Sequence, residues 1–170
     1  MPATILIALG SNRCHARHGA PRGVVAAAFA ALEGVGLVVA RSTIRTTKPL
    51  GPSKRAFANA MVLVETDIDP DELLDLLKDI ERAFGRRQGR RWAARVLDLD
   101  IIAWGDLATP MWRRTRSGLI IPHRAIAERG FVLDPLVEIA PGWRHPVLHL
   151  TARQLRARHR RPKRQSAGSP

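Results

Sequence analysis

The chain has 170 residues, 45% hydrophobic and 25% charged, which suits one globular domain and excludes a collagen-like or wholly disordered chain. A single cysteine, Cys14, excludes an intrachain disulfide framework and zinc sites built on several cysteines. The formal net charge of +13 favours anionic partners, whether nucleic acid, phosphate-rich small molecules or acidic surfaces.

Residues 4–9, Thr-Ile-Leu-Ile-Ala-Leu, are a short apolar run closed by Gly10-Ser11-Asn12 and predict a buried strand. Residues 21–33 place Val25, Phe29 and Leu32 at helical spacing, with Pro21 near the start and Gly34 just past the end. Residues 35–47 are rich in β-branched side chains and predict a strand. Pro49-Leu50-Gly51-Pro52 marks a loop, and residues 57–66 return to strand character. The clearest helix follows. Asp69 can cap it, Pro70 suits its first position, Leu73, Leu77, Ile80 and Phe84 form its apolar stripe, and Gly85 ends it. Residues 96–104 predict another strand and Pro122–Arg129 a short helix. Arg153, Arg156, Arg158, Arg160, Arg161, Lys163 and Arg164 stand with no acid among them. They read as a frayed, flexible basic tail over 153–170, dispensable for function, behind a domain of residues 1–152.

The order strand, helix, strand, strand, helix, strand is that of an α+β, ferredoxin-like βαββαβ sandwich, here with extra C-terminal elements. Both helices would cover one face of the sheet, leaving the other for loops or a ligand. No apolar stretch reaches the ~18 residues of a membrane span. The N-terminus lacks the pattern of a secretory signal, so the expectation is a cytoplasmic protein without membrane partners.

The sharpest chemical pattern is Asp98-Leu99-Asp100. In a strand, residues two apart share a face, so both carboxylates point one way while Leu97, Leu99 and Ile101 point into the core. Paired hard oxygens suit Mg²⁺, which takes further ligands from water and substrate phosphates. The plainer alternative is a half-solvated strand with two surface acids. Arg86, Arg87, Arg90, Arg91 and Arg95 precede the pair with no acid among them, and cations beside a metal are what a polyphosphate needs. Alone, such a cluster is as readily a solvated basic loop. Glu81 falls near the apolar stripe of its helix and calls for a partner, with a nearby arginine the natural candidate and an orienting role the natural consequence. Phe57 and Asn59 share a strand face and could stack on and hydrogen-bond a flat heterocycle, although a phenylalanine in such a place is more often just core. His123 and Arg129 could face phosphate. No phosphate-binding Gly-rich loop of the Walker or dinucleotide type is present, so nucleotide chemistry would rest on positioning and charge neutralisation.

Together the chain resembles the hydroxymethyl-dihydropterin pyrophosphokinase family. The resemblance rests on Ala8-Leu9-Gly10-Ser11-Asn12, Thr47-Lys48-Pro49-Leu50-Gly51-Pro52, Phe57-Ala58-Asn59, Ile80-Glu81 and Gly85-Arg86. It continues through Arg91 to Ile101, Ile121-Pro122-His123, Arg129 to Leu133 and Pro135-Leu136. It implies transfer of a pyrophosphoryl group from ATP to the hydroxymethyl oxygen of a reduced pterin, with AMP leaving. By resemblance, Asp98 and Asp100 hold two Mg²⁺ ions, Arg86 and Arg95 brace the triphosphate, and Trp92 helps order a closing loop over ATP. His123 and Arg129 contact ATP, while Phe57 and Phe131 sandwich a pterin bonded to Asn59 and to the loop from Thr47 to Leu50. The family's Trp-Gly-Pro-Arg is Trp92-Ala93-Ala94-Arg95 here, Gln88 stands where a second arginine is common, and the chain has no tyrosine. The expected partners are the two small substrates, acting on a monomer, with nucleic acid reserved for the basic tail. The rival readings are an RNA-binding module on the same fold and a metal-dependent phosphoesterase.

Overall fold

The apolar run near the N-terminus forms β1 (Ala3–Ser11), the strand between two neighbours in an antiparallel sheet. The computed structural model describes residues 1–48, 55–85, 96–105 and 118–161. Leu50, Arg86, Trp92 and Arg95, and with them the proposed closing loop, lie outside the described residues. The elements that follow β1 are α1 (Pro21–Leu32), β2 (Leu37–Arg41), β3 (Arg45–Thr47), β4 (Phe57–Thr66), α2 (Pro70–Ala83) and β5 (Asp98–Trp104). Two further helices, α3 (Gly130–Ile139) and α4 (Ala152–Arg160), come last. The fold is thus mixed α and β, with strands in the order β2-β4-β1-β5 and β3 pairing with β4. Every described pairing is antiparallel.

Local chemistry explains the boundaries. In α2 the Asp69 carboxylate accepts the N–H groups of Asp71 and Glu72 at 2.9 and 3.0 Å, satisfying donors that a helix start leaves unpaired. At its other end Gly85 adopts φ +85°, and its N–H bonds the Arg82 carbonyl at 2.9 Å. The stretch expected as one strand over 35–47 is two. Ser42 interrupts it: its N–H donates to the Met61 carbonyl and its Oγ accepts the Met61 N–H, each at 2.9 Å. A side-chain oxygen thus replaces a backbone carbonyl in the ladder.

The long strand β4 therefore carries two partners on one edge, β2 against its C-terminal half and β3 against its first three residues. On one face of the sheet, Ile5, Ile7, Leu9, Val62, Val64, Leu99 and Ile101 pack under α1 and α2, with Val25, Leu32, Leu73 and Leu77 fully buried. This is the face that Leu97, Leu99 and Ile101 were expected to fill.

The other face differs from the expectation of an open surface. Leu6, Met61, Ile102 and Ala103 are covered by Val132, Leu133 and Leu136 of α3, backed by Ala152 and Leu155 of α4. Residues 122–129 are turns rather than a helix: His123 Nδ1 accepts the Ala125 N–H at 3.2 Å, a local bond that competes with helix formation. The helix begins instead at Gly130.

The start of the expected basic tail is also ordered. Thr151 and Gln154 form a reciprocal capping box, with Thr151 N–H donating to the Gln154 side chain at 2.8 Å and Gln154 N–H to the Thr151 hydroxyl at 3.2 Å. Charge counting misses α4 because its apolar contacts are few, Ala152 and Leu155, three residues apart on one helical face.

Candidate functional site

One row across the sheet organises the candidate site. Arg45 of β3 lies opposite Asn59 of β4, Asn59 opposite Gly10 of β1, and Gly10 opposite Asp98 of β5. The next row joins Met61, Ala8 and Asp100. Residues directly opposite share a face, so Asn59, Asp98 and Asp100 project from the same side as Met61, which is the side that α3 and α4 cover farther along. The apolar cover thus occupies one part of this face, and a polar end remains beside it.

Gly10 keeps the two polar strands close. A Cβ there would lie 3.3 Å from Asn59 Oδ1, tighter than ordinary contact. Asn59 is only 7% exposed, and its amide Nδ2 donates to Thr47 Oγ1 at 2.7 Å. That bond ties the amide to β3 just before the loop from Thr47 to Leu50. Phe57, opposite Thr47, is half-buried on the same side.

Asp98 and Asp100 are half-buried, whereas Leu97, Leu99 and Ile101 are buried on the opposite face, as alternation predicts. Behind them Glu81, 2% exposed on α2, accepts the backbone N–H of Leu99 at 2.8 Å. The partner described for this carboxylate is thus the strand that carries both aspartates, which gives it an orienting position.

The segment after β5 brings His123 and Arg129 to the same end. The His123 N–H bonds the Ile102 carbonyl at 2.9 Å, fastening the turn to β5. Burial lowers the His123 pKa. The Asp100 carboxylate opposes that shift, the Arg129 guanidinium adds to it, and Asp98 opposes it more weakly. The imidazole therefore lies within electrostatic reach of both aspartates and of Arg129. Arg129 in turn places its guanidinium 5.7 Å from the centre of the Phe131 ring.

Of the residues expected from the sequence, Asp98, Asp100, His123 and Arg129 converge, with Phe131 beside Arg129. Asn59, Thr47 and Phe57 lie along the same face. Two features carry no sequence signal. Glu138, in the last turn of α3, accepts the Thr43 N–H at 2.7 Å, the Thr43 hydroxyl at 3.0 Å and the Arg45 guanidinium at 2.9 Å. It moors β3 to α3 across 93 residues of chain. His15 stacks on His18 at 4.8 Å and His18 on Phe84 at 5.0 Å, joining the loop after β1 to the end of α2.

The family described as 7,8-dihydro-6-hydroxymethylpterin-pyrophosphokinase matches residues 6–141, well over half of the chain. The chain belongs to that family. It is 37% identical over 145 residues to the 2-amino-4-hydroxy-6-hydroxymethyldihydropteridine pyrophosphokinase of Pseudomonas aeruginosa, covering 84% of this chain and 83% of that one. It is 43% identical over 105 residues to the enzyme of the same name from Methylorubrum extorquens, covering 61% of this chain and 63% of the relative, just under two thirds. A solved structure of Plasmodium falciparum HPPK-DHPS matches 94% of this chain with a TM-score of 0.68 at 14% identity. The chain spans 44% of that longer protein, and at this identity the likeness speaks to the fold alone. As a pyrophosphokinase family member, the chain carries all the expected site residues inside the matched stretch, whereas α4 lies beyond it.

Proposed function

We infer that this chain is a transferase moving the pyrophosphoryl group of ATP to the hydroxymethyl oxygen of a reduced 6-hydroxymethylpterin. The hydroxyl oxygen forms a bond to the β-phosphorus and gives up its proton to solvent, the bond from that phosphorus to the oxygen bridging to the α-phosphate breaks, and AMP leaves with that oxygen. The observation that carries the reading is the sheet face on which Asn59, Asp98 and Asp100 stand together, with Thr47 bonded to Asn59 and the His123 turn fastened to the same strand as the aspartates. The order β2-β4-β1-β5, with α1 and α2 on one face, supports classing the fold as ferredoxin-like.

The donor set fits magnesium. Asp98 and Asp100 offer hard carboxylate oxygens on one side of a strand, and neither is deeply buried. Among the described residues no three ligating side chains cluster, which suits an ion completing its shell with water and phosphate oxygens. When bound there, Mg²⁺ supplies Lewis acidity at phosphorus and lowers the charge on the leaving group. The protein's own part is alignment and charge compensation. Asp98 and Asp100 hold the metal end of the triphosphate, Arg129 and His123 face its oxygens, and Phe57, Asn59 and Phe131 hold the pterin ring. Two Mg²⁺ ions, and bracing by Arg86 and Arg95 with Trp92 in the closing loop, belong to the same proposal. The lone exposed Cys14 accords with a reducing compartment and supports a cytoplasmic location.

The test is AMP release from ATP and Mg²⁺, with and without 6-hydroxymethyl-7,8-dihydropterin. Pterin-dependent AMP is the expected result. Pterin-independent release would mean hydrolysis, and no release would leave the transferase reading without a reaction.

A further inference from the structure

We propose that His159, in the last turn of α4, is a positioning residue for Arg129 and Phe131. The proposal rests on the functional reading above, in which those two side chains face the substrates.

The start of α3 is poorly held by its own chemistry. Arg129 is its N-cap, yet its side chain caps none of the free N–H groups, and no acidic residue stands in the first turn. Pro135 lies inside the helix and lacks the N–H that would otherwise bond the Phe131 carbonyl. A short helix with these gaps needs support from a neighbour. Gly130, between the two site residues, is where that support arrives. A Cβ built on Gly130 would lie 3.1 Å from His159 Nε2 and 3.5 Å from its Cδ2. The imidazole edge therefore lies beside Gly130, and a side chain there would press on it and make it give by a few tenths of an ångström. One residue on, Arg160 bonds the Asp134 carboxylate at 2.8 Å, fastening the next turn of α3 to the same turn of α4. Leu155 and Ala152 are buried against Val132, Leu133 and Leu136, so α4 is anchored to the core and can act as a fixed stop.

The backbone at Gly130 sets where its neighbours point, and an active site loses rate or affinity steeply when a contact group shifts by about 1 Å. His159 is exposed at the surface, so removing it disturbs the local fit more than the core.

The experiment combines steady-state kinetics with a double-mutant cycle on the full chain. His159→Ala is expected to raise KM for ATP and for the pterin by roughly tenfold, with kcat less affected and the thermal midpoint within about 2 °C of the parent. His159→Gln, which keeps side-chain bulk near the Nε2 position, is expected to restore most of the affinity. Gly130→Ala is expected to raise KM in the parent and to have little effect in the His159→Ala background, where the close contact is gone. Parental KM values in His159→Ala, or an equal effect of Gly130→Ala in both backgrounds, would overturn the proposal. Arg129→Ala separates the two levels. If it raises KM for ATP while His159→Ala does not, only the positioning role fails. If Arg129→Ala leaves KM unchanged, the site assignment fails and takes the positioning role with it.

Discussion

The Oε1 atom of Glu81 accepts the backbone N–H of Leu99 at 2.8 Å, so a carboxylate buried on one face of the sheet holds the residue that separates Asp98 and Asp100 on the other. Removing it leaves a buried N–H without that acceptor. Glu81→Ala is expected to destabilise the fold by about 1–3 kcal/mol and to lower turnover with it. Glu81→Gln retains an amide oxygen for the same bond and is expected to lose less of both. Urea unfolding and AMP-release rates on the two variants check this. Equal losses in both would show that the carboxylate charge matters and the bond to Leu99 does not.

Asp98→Asn and Asp100→Asn preserve shape on a half-buried strand face while removing the anionic oxygens that suit Mg²⁺. Each is expected to reduce pterin-dependent AMP formation by about a hundredfold or more, which corresponds to roughly 3 kcal/mol of transition-state stabilisation. Far-ultraviolet circular dichroism is expected to stay unchanged. Near-parental rates at limiting Mg²⁺ would remove the metal from these positions.

The bond from Asn59 Nδ2 to Thr47 Oγ1, at 2.7 Å, orients a nearly buried amide toward the expected pterin. Thr47→Val matches the volume and deletes the acceptor. The expected outcome is a KM for the pterin raised about tenfold, on the order of 1 kcal/mol, with KM for ATP little changed. An equal rise in both constants would point to a general loosening of β3.

Glu138 ties β3 to α3 and gives a pH signature. Burial pushes its carboxyl up, but the bonds from Arg45 and Thr43 outweigh that and hold it below its ordinary 4.5. A folded pKa below the unfolded one stabilises the fold above about pH 4.5, and the benefit is lost as pH falls through the folded value. Thermal midpoints taken from pH 6 downward are expected to fall more steeply in the parent than in Glu138→Gln. Parallel curves would show that this carboxylate is not linked to folding.

Much of the site was legible because the relevant rules are local. Asp98 and Asp100 share a face through strand alternation alone, and Asp69, Pro70 and Gly85 bound α2 through capping chemistry that needs no tertiary partner. Other features were not legible. Ser42 splits a β-rich stretch because its hydroxyl meets Met61, 19 residues away. His123 sits in turns because it bonds Ala125 and Ile102 rather than entering a helix. The basic stretch after Thr151 conceals α4, since two apolar residues among many arginines do not announce a packed face.

The chain's own pattern of apolar periods, caps and paired carboxylates determined the alternation of β1, α1, β4, α2 and β5 and the shared side of the two aspartates, because steric and hydrogen-bonding preferences act over a few residues. Only the folded arrangement decided that Asn59, Gly10 and Asp98 stand in one row, that Glu81 braces Leu99 from behind, and that His159 lies beside Gly130. Those are meetings between residues far apart in the chain, and they follow from strand register and helix packing, which only the burial of apolar faces against one another can set.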